Sequence, residues 1–125
     1  MIFLDCKYAF FSWRALTLVD RGNHSDALRY IDKCLSIGRD EVLQSAFKAR
    51  VFLLNRDRKS AKEFVTETLA RTKAPPTDRD DLSGFFYLKY LMNVVEGNPE
   101  MSAHYNEEAR KAVHSNMARS MLNLL

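Results

Sequence analysis

The sequence predicts an all-α fold assembled from helical hairpins, and three observations carry that expectation. Only four glycines and three prolines occur in 125 residues, and helix-favouring Leu, Ala, Lys, Arg and Glu fill most of the chain. Apolar side chains recur at i, i+3 or i+4 spacing in successive segments. The residue pattern of one segment returns after a fixed interval, as expected when pairs of helices stack.

Composition bounds the rest. At this length the chain is one ordinary domain, able to bury roughly two thirds of its unfolded surface. With 46% hydrophobic and 28% charged residues, it resembles soluble folded proteins and lies far from the signature of disorder. The formal charge of +3 comes from 19 basic and 16 acidic residues. They are interspersed, which argues against a dedicated nucleic-acid surface. No stretch approaches the roughly 18 apolar residues of a membrane span. Asp5 interrupts the N-terminal apolar run before it can serve as a secretory h-region. Cys6 and Cys34 lack CxxC spacing, so reduced thiols and a cytoplasmic location are expected.

The first helix carries the stripe Phe11, Ala15, Leu18. Asp20-Arg21-Gly22-Asn23 is then too short for anything but a tight turn, with Gly22 free to take the left-handed conformation. The second helix, starting near His24 or Ser25, carries Ala27, Ile31, Cys34 and Leu35. Adding 34 to these positions places Ala15 on Ala49, Leu18 on Phe52, Ala27 on Ala61, Ile31 on Val65 and Leu35 on Leu69. Asn23 maps to Asp57 in the same shift, so a second hairpin is expected over about 41–72. The insertion ARTKAPPTDRDD halts the helix at its prolines. Beyond it, Gly97-Asn98-Pro99 offers a C-cap, an N-cap and a first-turn proline. Ser102 and Ala109 stand where Ala27 and Cys34 stood, giving a third hairpin over about 80–112.

The period and the small residues Ala15, Ala49, Ala27 and Ala61 resemble tetratricopeptide (TPR) repeats over roughly residues 8–112. The resemblance implies three stacked antiparallel hairpins, over about 8–40, 41–72 and 80–112, in a short right-handed superhelix of six or seven helices, with an extension over 113–125. The chain departs from the family at Arg56, where the turn glycine is expected and Asn55 is the alternative left-handed residue. It departs again at Tyr90, where a small residue is expected.

In that family the first helix of each unit lines a binding groove. The family register implies groove positions at Ser12, Trp13, Leu16 and Asp20, at Phe47, Arg50 and Leu54, and at Tyr87, Leu88 and Leu91. Of these, Trp13, Leu16, Phe47, Arg50, Leu54, Tyr87, Leu88 and Leu91 are the expected partner-binding residues, since aromatics and Arg dominate binding hot spots. Trp13, Phe47 and Leu91 serve equally well as ordinary core. The peptide-carboxylate clamp of some family members is not expected, because Ser12, Leu16 and Phe47 are unsuited to it. A mainly apolar groove calls for an amphipathic helix or an extended apolar segment of a partner protein. The implied role is that of an adaptor or a small chaperone, by analogy with TPR-like secretion chaperones. The alternative is a regulatory or RNA-associated repeat protein using the basic turn RDRK at 56–59.

Both ends are apolar: Ile2, Phe3 and Leu4 at the start, and Met117, Met121, Leu122, Leu124 and Leu125 in the tail. Either the tail folds back as a seventh helix over the third unit, or the ends support homo-oligomerisation.

No enzymatic chemistry, cofactor or metal is expected. His24, His104 and His114 form no HxxxH or HExxH arrangement, and no phosphate-cradling or nucleophile-elbow motif is present. Cys34 reads as a buried structural thiol. Adjacent carboxylates such as Asp80 and Asp81, or Glu107 and Glu108, diverge by about 100 degrees on a helix and read as solvated surface and N-terminal helix charge.

Overall fold

The computed structural model describes residues 2–124, with side chains from Cys6 onward. It contains seven helices: α1 (Ile2–Asp20), α2 (His24–Ile37), α3 (Glu41–Leu54), α4 (Arg58–Arg71), α5 (Arg79–Glu96), α6 (Pro99–Ala112) and α7 (Asn116–Leu122). No strand occurs among the described residues. The pairs α1–α2, α3–α4 and α5–α6 pack on one another across short turns, so each is an antiparallel hairpin. α3 and α4 together run from Glu41 to Arg71, and α5 and α6 from Arg79 to Ala112.

One device builds all three hairpin turns. A left-handed residue ends the first helix, at Gly22 (φ 77°), Arg56 (φ 59°) and Gly97 (φ 75°). A short polar side chain one residue later then caps the second helix. Asn23 accepts from the Asp26 N–H, Asp57 from Ser60 and Asn98 from Met101. The second turn therefore keeps its geometry without glycine. Asn55, at φ −83°, does not take the left-handed role; Arg56 does, at a cost of roughly 1 kcal/mol.

Packing follows the small residues. Ala15, Ala27, Ala49 and Ala61 are all buried, which lets the helices of the first two hairpins approach closely. α3 is the hub, packing on α2, α4, α5 and α7. Its approach to α5 is set by Gly84, where an added Cβ would lie 2.7 Å from the Leu43 Cα and 2.9 Å from the Val42 carbonyl oxygen. Real Cβ atoms do not come that close to backbone, so glycine is required there. Tyr90 is accommodated half-buried, its ring 5.3 Å from that of Tyr87.

The tail folds back as a seventh helix. α7 packs on α5 of the third hairpin and on α3 and shares cavities with α1, so it lies against the first helices of the hairpins. Met121, Leu122 and Leu124 are buried. The side chains of Ile2, Phe3 and Leu4, and Leu125 as a whole, lie outside the described residues.

Candidate protein-binding groove

The face of α1, α3 and α5 is where the expected partner-binding residues converge, and α7 divides them into two groups. Phe47 and Leu88 are 0% exposed, Leu91 4% and Tyr87 6%, so these four residues are core. Burial raises the Tyr87 hydroxyl well above its ordinary pKa, against the lowering influence of Arg50. Leu16 and Arg50 are half-buried. Trp13 remains 55% exposed and Leu54 40%.

α7 is held at both ends by groups on the groove walls. At its start, one Asp80 carboxylate oxygen accepts the N–H groups of His114 (2.7 Å) and Ser115 (3.0 Å). The Arg79 guanidinium donates to the Ala112 carbonyl at 3.1 Å. At its end, Arg50 donates to the Met121 carbonyl at 3.0 Å, a last-turn oxygen that the short helix leaves without an intrahelical partner. Burial pushes the Asp80 carboxyl upward, but the Ser115 and His114 N–H groups and the Ser115 hydroxyl outweigh it and hold the carboxyl below its ordinary value.

The α1 side is incompletely filled. Trp13, Leu16, Thr17 and Asp20 face Ser120 and Asn123 across a cavity of about 340 Å³. Nearer the start of α7, a second cavity of about 290 Å³ lies among Tyr8, Ser12, Leu43, Asp80, Met117 and Met121. Phe10, 52% exposed, extends the open apolar rim, its ring 6.5 Å from that of Trp13.

Beneath this second cavity runs a buried polar relay. The Tyr8 hydroxyl donates to Asp40 (2.9 Å) and accepts from Gln44 Nε2 (3.0 Å), which also donates to the Ser12 hydroxyl (3.0 Å). Ser12 Oγ lies 3.4 Å from the Cys34 thiol. Gln44 Oε1 is buried with no hydrogen-bond partner among the described residues. Burial, with the charge of Asp40, raises the Tyr8 hydroxyl far above its usual range, and burial also raises Cys34. Both are therefore neutral, structural groups at physiological pH.

Asp80 and Asp81 are half-buried ligands of backbone, not solvated surface charges. The carboxylate of Asp81 accepts the Leu43 N–H at 3.0 Å, capping α3 from α5. It takes the place of Asp40, whose side chain makes no cap bond to its own helix. Burial raises the Asp81 carboxyl; the Leu43 N–H partly offsets this, and the charges of Asp40 and Asp78 add to it. Carboxylate oxygens of Asp40, Asp78 and Asp81 lie within 4.8 Å of one another, gathered by the starts of α3 and α5. Each is engaged by the protein itself, since Asp78 accepts the Asp81 N–H.

Elsewhere, His24 begins α2 and is separate from His114, whose Nδ1 lies 3.4 Å from the Arg79 guanidinium. Cys6 is exposed and Cys34 buried, both as free thiols. Arg56, Arg58 and Lys59 of the basic turn are exposed.

No protein-family model, curated protein or solved structure matches the chain. Among the described residues, no helix is long and apolar enough to cross a membrane.

Sequence reasoning singled out neither Phe10, nor the backbone contacts of Asp80, nor the packing of α7 on α3 and α5. The tail did carry a signal. Ala118, Met121 and Leu122 fall at i, i+3 and i+4, the spacing of a helix with one apolar face.

Proposed function

We propose that the chain is a TPR-like protein-interaction module of the cytoplasm, whose groove on α1, α3 and α5 takes up an apolar, amphipathic helical segment of a partner protein. It works by binding, as an adaptor or small chaperone, and not by catalysis. The observation that carries this reading is α7 itself. A short amphipathic helix lies on the groove with its apolar face buried and its two ends hydrogen-bonded by Asp80 and Arg50. A surface with those fittings suits a helix better than an extended strand, which would need a row of backbone partners along its length. Trp13, Leu16 and Leu54 supply apolar surface that α7 leaves uncovered.

Full-length protein, with Trp13→Ala and Leu54→Ala as separate variants, tests the reading by capture from lysate of the native host. The expected result is a partner retained by the wild type at raised salt and lost with Trp13→Ala, while the helical circular dichroism is unchanged. Equal capture by all three proteins contradicts the groove. Capture that disappears steeply with salt and is insensitive to Trp13 favours phosphate contacts at the basic turn.

A further inference from the structure

We propose that the natural ligand of this groove is a short amphipathic helix with the apolar spacing of α7 but a bulkier side facing α1, and that α7 is the stand-in it displaces. This rests on the groove reading above and adds the ligand's chemistry and the state of the site before the ligand arrives.

Four observations converge on it. First, two contacts address the ends of α7: Asp80 accepts the N–H of its N-cap residue Ser115, and Arg50 donates to the Met121 carbonyl in its last turn. Any helix of similar length and direction presents these two unpaired groups; the His114 N–H on Asp80 belongs to the connection. Second, α7 spans seven residues, well short of the roughly 12–15 at which an isolated helix becomes even marginal in water. Its helical form therefore depends on the groove. Third, only residues 113–115 join it to α6, so it can leave without unravelling a hairpin. Fourth, the fit is one-sided. Met121, Leu122 and Leu124 are buried, yet the residues that α7 turns toward Trp13 and Leu16 are Ser120 and Asn123, with a cavity of about 340 Å³ between them. Small polar groups facing an exposed Trp leave apolar contact unmade. A ligand with a large apolar residue at the Ser120 position would make that contact and outcompete the tethered tail.

Competition by a tethered segment lowers apparent affinity by the fraction of molecules in which the groove is open. The test uses the full-length chain and two labelled peptides, one with the sequence of residues 113–125 and one carrying Ser120→Leu. Neither contains Trp, so the emission of Trp13, the single tryptophan of the chain, reports filling of the groove. The chain is used as wild type and as Met121→Ser/Leu122→Ser, which weakens the tail and leaves the groove walls intact. The expected result is binding at least about tenfold tighter to the double variant than to the wild type. The Ser120→Leu peptide binds more tightly than the native sequence to both proteins and shifts the Trp13 emission.

Equal affinity for wild type and variant overturns displacement while leaving the groove reading in place. Failure of both peptides to bind either protein removes both. Where the double variant does not fold, hydrogen exchange on the wild type decides. Amides of α7 exchanging much faster than those of α3 support displacement, and amides exchanging only with global unfolding make α7 permanent core and overturn it. A wild-type dimer that the peptide dissolves identifies the occupant as a second copy's tail and overturns the proposed ligand.

Discussion

Trp13, Phe47 and Leu88 are expected groove positions on α1, α3 and α5, yet Trp13 is 55% exposed while Phe47 and Leu88 are fully buried. Helical spacing decides which face of its helix each residue occupies. What covers that face decides whether the residue is core or surface. Phe47 and Leu88 are covered by neighbouring helices, and Trp13 stays open. A groove inferred from register alone is therefore two environments, one structural and one available.

The comparison breaks most sharply at Leu88. Leu88→Ala should cost about 3–4 kcal/mol in chemical denaturation, because it empties a fully buried position on the hub side; a loss under about 1 kcal/mol would mean that the α5 wall is not packed as described. Gly84→Ala should cost about 2–3 kcal/mol by forcing α5 off the backbone of α3. Its effect is on the closed wall only, so peptide binding at Trp13 should weaken less than thermal stability does.

At Asp80 the expected effect is local. Replacement by Ala should speed amide exchange across His114–Leu124 by roughly tenfold, the worth of one charge-assisted hydrogen bond, with α3 amides unchanged. The same contact depends on pH. Docking holds the Asp80 carboxyl below its ordinary value, so its contribution is complete above the usual aspartate pKa near 3.9 and is lost as pH falls below it. Faster exchange of α7 amides on raising pH from 4 to 7, after correction for the intrinsic rate, would contradict that sign. The smallest effect belongs to Trp13→Ala, which should change stability by less than about 0.5 kcal/mol. A larger loss would place Trp13 in the core with its two counterparts.

Much of the architecture was legible because turns and caps act locally. Asn98 announces a helix start in the sequence, and Asn23 and Asp57 mark turns; each accepts a backbone N–H in the structure. The four repeated alanines announce close helix packing and are buried. What could not be read depends on contacts between distant segments. Asp81 looks like first-turn helix charge until α3 is seen to begin against it, 38 residues away in sequence. Gly84, a lone glycine inside a helix, is the kind of signal that marks a close approach, but nothing local says that the approaching backbone is Leu43. The apolar tail fitted both a cap and an interface for the same reason, because its amphipathic spacing specifies a buried face and not which surface buries it.

The central claim is that the tail lies on the first helices, and nuclear Overhauser contacts of the Met121 methyl group test it most directly in methyl-labelled protein. Met121 lines one cavity with Tyr8 and Leu43, so cross-peaks from its methyl to the Tyr8 ring and the Leu43 methyls are expected. A sharp Met121 signal at a random-coil shift, with contacts only to its neighbours in sequence, would contradict the account.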